Sequence, residues 1–384
     1  MNDSLNKFLS HKLDILLKAD LKRELNLPKI TNKQIINFCS NDYLGLSKEK
    51  SLIEAAYQSA LEFGIGAGAS RLISGNTKLH SDLEIEIATF KGTENALLFN
   101  SGYDANISTI AALMSKPDII YSDELNHSSI LSGIKLSDAN CLNYNHLCLK
   151  SLEEKIKSTR FQYRNALIIS ESIFSMDGDM ADLKALISVA EKYNCWLMID
   201  EAHSTGLFGE NGAGLIKSLK LENRIPIQMG TCSKAFGCQG AYIAGNNLLI
   251  EFLIQRAKTF IYSTALSPAI CGALKQSLKL ISTEKWRREK LFENADKIKT
   301  ICKNLDYKII SQDSQIICLE MPNNKIALKA AEFLLKQGIL IQAIRPPTVK
   351  KARLRITAST IYTKAQINHL ASNLTDLQMA LSGW

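Results

Sequence analysis

The stretch "ADLKALISVAEKYNCWLMID", residues 181–200, decides the fold. Its first half sets Leu183, Leu186, Ile187 and Ala190 three or four residues apart, the spacing of a single apolar face on a helix. Its second half is a short apolar run ending in Asp200, which reads as a buried strand. A helix feeding a buried strand is the repeating unit of a parallel sheet covered by helices. Outward from this point the same alternation extends from about residue 78 to 245, with "NALLFN" (95–100), "DIIY" (118–121), "NALIIS" (165–170), "IPIQMG" (225–230) and "GAYIAG" (240–245) as further strands. Helical stretches are expected at 248–258 and 267–304. Beyond them "YKIIS" (307–311), "QIICLE" (315–320), a helix near 325–337, "ILIQAI" (339–344), "ARLRIT" (352–357) and a last helix form a smaller α+β lobe. The expected fold class is α/β, a large lobe on a mainly parallel sheet plus a small C-terminal lobe. The expected boundaries are an N-terminal helical arm at 1–45, a large domain at 46–283 and a small domain at 284–384.

With 384 residues the chain has room for a large core and two lobes. Its 46% hydrophobic and 22% charged residues are ordinary for a globular protein. No apolar run approaches the ~20 residues of a membrane span. The start, "MNDSLNKFLSHKLDILLKADLKREL", has no apolar signal core or small-residue cleavage site and reads as an amphipathic helix. A cytoplasmic location is expected. The nine cysteines contain no C-x-x-C pair, and some, such as Cys195 and Cys318, fall in apolar runs, so reduced thiols are expected rather than disulfides or a zinc site. The net charge of +8 comes from scattered lysines without interleaved aromatics. That pattern disfavours nucleic acid and suits a phosphorylated substrate or cofactor.

Open parallel sheets bind ligands beyond the carboxyl ends of their strands, so the polar residues there are the ones to inspect. Asp200 ends an apolar strand, where a carboxylate is costly without a partner, and His203 follows three residues later. Asp200 fits either a cap for the next turn or a partner for a protonated ring nitrogen. In "TCSKAFG" (231–237), Lys234 sits in a small, hydroxyl-rich turn between two strands. Alone, it reads as a solvated turn lysine. "FNSGYDANISTI" (99–110) passes from strand to helix through Gly102 and Tyr103, a backbone that approaches an anion closely. "ESIFSMDGD" (171–179) carries Ser175 at its tip, and "DELNHSSILSG" (123–133) carries His127 in a polar turn, where a structural role is also open. Together these offer a lysine for a Schiff base, an acid for a pyridine nitrogen, a phosphate cup and a ring-facing imidazole, the set that pyridoxal 5′-phosphate chemistry requires.

At this point the chain resembles the α-oxoamine synthases, pyridoxal-phosphate enzymes of fold type I. The likeness is carried by "FCSNDYLGLS" (38–47), "GAGASRLISGNTKLHSDLE" (66–84), "FNSGYDAN", "LNHSSILSG", "ESIFSMDGD", "IDEAHSTGLFGENGAG", "TCSKAFG" and "IRPPTVKKARLRIT" (344–357). It implies that Lys234 holds the cofactor covalently, Asp200 pairs with the pyridine nitrogen, and His127 stacks on the ring. His203 and Ser175 would meet the phenolic oxygen region, and Gly102, Tyr103 and Thr231 the cofactor and its phosphate. Arg345 and Thr348 match substrate positions, the arginine for a carboxylate, and Arg23 is the match to an acyl-substrate arginine. The family's homodimers build their sites at the interface, so Asn41 and Thr264 would reach the neighbouring subunit's site. "HSTG" (203–206), "FIYSTALSP" (260–268) and "RPPTV" (345–349) resemble the branch that condenses L-alanine with a pimeloyl thioester, on coenzyme A or acyl carrier protein, in biotin biosynthesis. Glycine C-acetyltransfer is the alternative within the family. An aminotransferase would share Lys234 and Asp200 but not need His127 or "RPPTV". A non-catalytic scaffold subunit would have lost the lysine.

Overall fold

The computed structural model describes residues 3–18, 21–22, 35–311 and 313–381. The chain divides into two units, 1–36 and 37–384. In the first, helix α1 (Asp3–Lys18) has no buried residue, and Leu5, Leu9, Leu13 and Leu16 are among its exposed apolar side chains. Arg23 lies outside the described residues.

In the second unit the expected alternation of helix and strand becomes a seven-stranded sheet. Its strands are β1 (Asn95–Phe99), β2 (Ile119–Asp123), β3 (Asn140–Tyr144), β4 (Ala166–Glu171), β5 (Trp196–Asp200), β6 (Ile227–Thr231) and β7 (Ala241–Gly245). They lie in the order β1-β7-β6-β5-β4-β2-β3. Only β7 runs antiparallel to its neighbours. Helices α2 (Lys50–Phe63), α3 (Lys78–Lys91), α4 (Gly102–Leu113), α5 (Ser128–Ser137), α6 (Leu149–Thr159) and α7 (Leu183–Lys192) precede or connect the strands. Successive side chains of a strand point to opposite faces, and here both faces are covered. Ile120, Leu167, Ile169 and Met198 pack with Ile110 of α4 and Ile130 of α5. Tyr121, Ile168, Leu197 and Ile199 pack with Leu152 of α6 and Leu186 and Ile187 of α7. That two-sided burial is why the central strands read as unbroken apolar runs.

β3 was not among the expected strands. It is an edge strand whose only fully buried residue is Tyr144, so "NCLNY" carries no apolar run. The C-terminal part forms a three-stranded antiparallel sheet of β8 (Ile316–Glu320), β9 (Gln342–Ile344) and β10 (Arg353–Thr357), in the order β9-β10-β8. "YKIIS" is not a strand: Ile309 makes only an isolated bridge to Leu319. "ILIQAI" splits, with Leu340 accepting from the Phe38 amide at 2.9 Å before β9 begins. The stretch 267–304 is two helices, Pro268–Thr283 and Lys285–Asn304, separated at Glu284 by a non-helical ψ of 68°. All nine cysteines are free thiols; Cys318 is buried and Cys195 half-buried.

Candidate active site

Four strands end side by side in Asp123, Glu171, Asp200 and Thr231, all buried. This is the carboxyl edge of the sheet, where the chain turns into α5, the Ser175 loop, the His203 segment and the Lys234 turn. Parallel register places Glu171 directly opposite Asp200. Two carboxyls that close cannot both be ionised cheaply. Burial pushes Glu171 well above the usual carboxylate range, the Asp200 charge adds to this, and Lys234 and the His127 amide oppose it. Glu171 Oε1 accepts the His127 backbone N–H at 2.6 Å.

Asp200 is held by a local network. Its Oδ1 accepts from the Ala202 amide at 2.8 Å and its Oδ2 from Asn106 Nδ2 at 2.8 Å. The same Asn106 nitrogen donates to Ser129 Oγ at 2.9 Å, and Ser129 Oγ meets His127 Nδ1 at 2.7 Å. Asn106 lies on α4 and Ser129 on α5, so the two helices must approach closely. Gly133 permits this: a Cβ there would stand 3.0 Å from the Asn106 carbonyl and 3.1 Å from Ile107 Cα. His127 caps α5 through its Nδ1, 3.3 Å from the Ser129 amide, while its ring remains exposed.

Lys234 is half-buried, with Nζ 3.0 Å from His203 Nε2. Loss of hydration lowers its pKa to about 8; Asp200 and Glu171 oppose the drop and Arg355 reinforces it. His203 is buried and held well below its ordinary pKa by desolvation, then by the charges of Lys234, Arg355 and His127. It is neutral, so one ring nitrogen donates and the other accepts. Lys234 donates to Nε2, which leaves Nδ1–H to donate to Tyr43 Oη at 2.6 Å; Tyr43 donates onward to Asn41 Oδ1 at 3.2 Å. The tautomer is assigned from this chain of bonds. Arg355 extends the chain of bonds, donating from Nη2 to Asn41 Oδ1 at 3.3 Å and from Nε to the Ser175 carbonyl at 2.7 Å.

The structure thus brings Lys234, Asp200, His203, His127, Ser175 and Asn41 to one place. Gly102, Tyr103, Thr231 and Thr264 flank it. Gly102 opens α4 against β6, and a Cβ there would come 2.9 Å from Met229 Cε and 3.5 Å from Thr231 Oγ1. Tyr103 Oη meets Ser132 Oγ at 2.8 Å, and Thr231 Oγ1 meets Ser233 Oγ at 2.9 Å. Thr264 is exposed, its carbonyl accepting from Asn100 beside the Gly102 turn. Arg345 and Thr348 share a turn after β9, joined by the Thr348 N–H to Arg345 carbonyl bond of 3.0 Å. The guanidinium whose charge acts on Lys234, His203 and Tyr43 is instead that of Arg355. Reading the sequence missed it, together with Tyr43, Asn106, Ser129 and Glu171. A signal existed in "ARLRIT": Arg353 and Arg355 share one face of an otherwise apolar strand, and buried arginines need partners.

The donor set fits pyridoxal phosphate. An amine lowered to about 8 supplies neutral nucleophile near neutral pH. A network-held carboxylate, Asp200, stands nearby, and the Gly102 turn leaves only the space of a hydrogen where a helix start faces the Thr231 hydroxyl. Among the described residues no group of three or more His, Cys, Asp or Glu is arranged to hold a metal ion.

Comparison with known proteins agrees. The family model for aminotransferase class I and II matches residues 33–374. A protein of Rippkaea orientalis provisionally named 8-amino-7-oxononanoate synthase is 44% identical over 349 residues, 91% of each chain. The crystal structure of 8-amino-7-oxononanoate synthase from Francisella tularensis superposes with a TM-score of 0.80 at 30% identity, over 91% of this chain and 98% of that one. A serine palmitoyltransferase variant from S. paucimobilis, solved with a pyridoxal-phosphate adduct of myriocin, superposes with a TM-score of 0.91 at 26% identity over 100% of both chains. Sequence, fold and site converge: the chain belongs to the class I and II aminotransferase family, among the fold-type I pyridoxal-phosphate enzymes whose relatives carry the name 8-amino-7-oxononanoate synthase.

Proposed function

We propose that this protein catalyses the decarboxylative condensation of L-alanine with a pimeloyl thioester to 8-amino-7-oxononanoate, a step of biotin biosynthesis. The observation that carries the reading is the hydrogen-bonded chain Lys234–His203–Tyr43–Asn41–Arg355 beside Asp200, in a protein 44% identical to one bearing that name. Bound pyridoxal phosphate supplies the electron sink for an electron pair at the amino acid's α-carbon. Lys234 holds the cofactor at rest and, once released, takes the α-proton of alanine on Nζ. Asp200 keeps the proton on the pyridine nitrogen. His203 fixes the direction of Nζ and His127 covers the ring face. The first turn of α4 with Thr231 receives the phosphate. For the alanine carboxylate the better candidate is Arg355, buried next to Lys234, rather than Arg345. The new carbon–carbon bond joins the alanine α-carbon to the pimeloyl carbonyl carbon, the carrier leaves as the free thiol, the carboxylate departs as carbon dioxide, and a proton returns to the α-carbon in its place.

A homodimer is supported by exposed apolar residues on the second unit: Ile53, Tyr57 and Leu61 at four-residue steps on α2, and Ile65, Leu72, Ile73 and Tyr262. A boundary between large and small domains at 283/284 is supported by the helix break at Glu284. Among the described residues no helix is long and apolar enough to cross a membrane, which is compatible with a cytoplasmic enzyme. The test is product mass after incubating the holoenzyme with L-alanine and pimeloyl-CoA or pimeloyl-acyl carrier protein. An amino-oxo acid retaining the alanine methyl group, with loss of carbon dioxide, is expected. A simple amino-group exchange product would overturn the reading.

A further inference from the structure

His146 lies outside the chemistry described so far, yet it touches both loops that carry it. Nδ1 stands 2.8 Å from Asp123 Oδ1, and Nε2 stands 2.8 Å from Asp179 Oδ2. Asp123 ends β2 and opens the turn to His127, where its Oδ1 also accepts the Leu125 amide at 2.9 Å and its Oδ2 the Leu147 amide at 2.9 Å. Asp179 closes the loop that carries Ser175, and its own carbonyl accepts the Phe174 amide at 3.0 Å. The Phe174 ring meets the imidazole edge-on at a centroid distance of 4.5 Å. On the backbone side, the His146 N–H donates to Glu124 Oε1 at 3.1 Å, and Lys350 also donates to that oxygen. An imidazole donating from both nitrogens to two carboxylates carries both protons and a positive charge. Asp123 is fully buried and the His146 side chain is 17% exposed, so water screens the trio weakly.

We propose that His146 is a positioning residue: a permanent imidazolium that ties the turn bearing His127 to the loop bearing Ser175 and so sets the spacing between these two flanks of the site. The Ser175 loop is pinned on its far side by Arg355, which donates to the Ser175 carbonyl, and by Arg353, which contacts Asp177 and the Met176 carbonyl. On the His127 side, His146 reaches across to that loop by bridging Asp123 and Asp179. Burial opposes protonation of His146, but the hydrogen bonds and charges of Asp123 and Asp179 outweigh it and raise the pKa to about 10. The charge therefore persists through neutral pH. The proposal rests on the reading that His127 and Ser175 face the cofactor.

The test is a double-mutant cycle on the holoenzyme with cofactor affinity and kcat as readouts. H146Q keeps the size of the side chain but cannot serve both carboxylates as a cation. It is expected to lower cofactor affinity and kcat by roughly tenfold, the size of coupling found within one hydrogen-bonded network. In an H127A background the same substitution is expected to do little, because the residue it positions is gone. Equal losses in both backgrounds would make His146 a general structural residue and overturn the proposal. If H127A alone changes neither affinity nor rate, the reading of His127 fails separately. Should H146Q not fold, D179N serves the same cycle, since it removes one charge and leaves an acceptor for Nε2. A histidine NMR titration gives the independent check: the His146 ring is expected to stay protonated at pH 8, and a midpoint near the ordinary 6.5 contradicts it.

Discussion

At the scale of single residues, the site depends on which groups carry protons. Lys234 is lowered to about 8 because its ammonium loses hydration, and the nearby Asp200 and Glu171 prevent a deeper drop. Cofactor attachment requires the neutral amine. Its rate, followed by absorbance after mixing cofactor-free protein with pyridoxal phosphate, is expected to rise with pH to a plateau with a midpoint near 8. A midpoint near 10.5 would mean that the buried carboxyls fully offset the desolvation. Asp200 has a different task. Replacing it by Asn keeps one acceptor oxygen for the Ala202 amide, turns a donor NH2 towards Asn106 Nδ2, and removes the charge that keeps a pyridine nitrogen protonated. Asp200→Asn is expected to bind cofactor and to lose at least about a hundredfold in kcat, the size of removing a preorganised charge partner. Exchange of the alanine α-proton at the parent rate would exclude that role. Lys234, Asp200 and His203 were legible in the sequence because polar residues after apolar strands stand out. Arg355, Glu171 and Tyr43 were not, since the partners that mark them out lie 44 to 314 positions away in the chain and are drawn together only by the fold.

At the scale of elements, α4 and α5 build the platform beneath Asp200. Their close crossing at Gly133 lets Asn106 and Ser129 share one hydrogen-bonded network with Asp200 and His127. A larger residue at 133 must push against the α4 backbone. Gly133→Val is expected to destabilise the protein by about 1–3 kcal/mol through overpacking and to weaken cofactor binding along with it. Urea unfolding and a cofactor titration measure the two effects, and a variant as stable as the parent would show that the helices can separate freely. The His146 tie acts at this scale too. Its folded pKa of about 10 lies above the unfolded value, so its stabilising contribution is fully present below about pH 6.5 and is lost as pH rises through about 10. The difference in unfolding free energy between the parent and H146Q should accordingly shrink between these limits. A difference that grows with pH would give the wrong sign. Element types were read well wherever burial was two-sided. They failed at β3, whose exposed edge has no apolar pattern, and at "YKIIS", whose apolar pair packs without a ladder.

At the scale of the whole molecule, the chain carries its site on a fold shared with pyridoxal-phosphate enzymes of other names. The fold is common to relatives of differing names, since a serine palmitoyltransferase superposes at a TM-score of 0.91 with only 26% identity. Substrate choice must therefore come from side chains around that frame. Alanine differs from glycine by one methyl group, worth about 1–3 kcal/mol in a pocket, so glycine should bind with preference lost rather than abolished. The long acyl chain should be selected more sharply, because its far carboxylate needs a partner that a short donor leaves unpaired. Sedimentation of the holoenzyme is expected to give twice the chain mass, as the exposed apolar residues of α2 and its neighbours suggest. The most direct measurement compares kcat/KM for L-alanine with pimeloyl-CoA against glycine with acetyl-CoA on the same holoenzyme. The first pair is expected to be the faster by a wide margin; a faster second pair would make the protein a glycine C-acetyltransferase and contradict the proposed function.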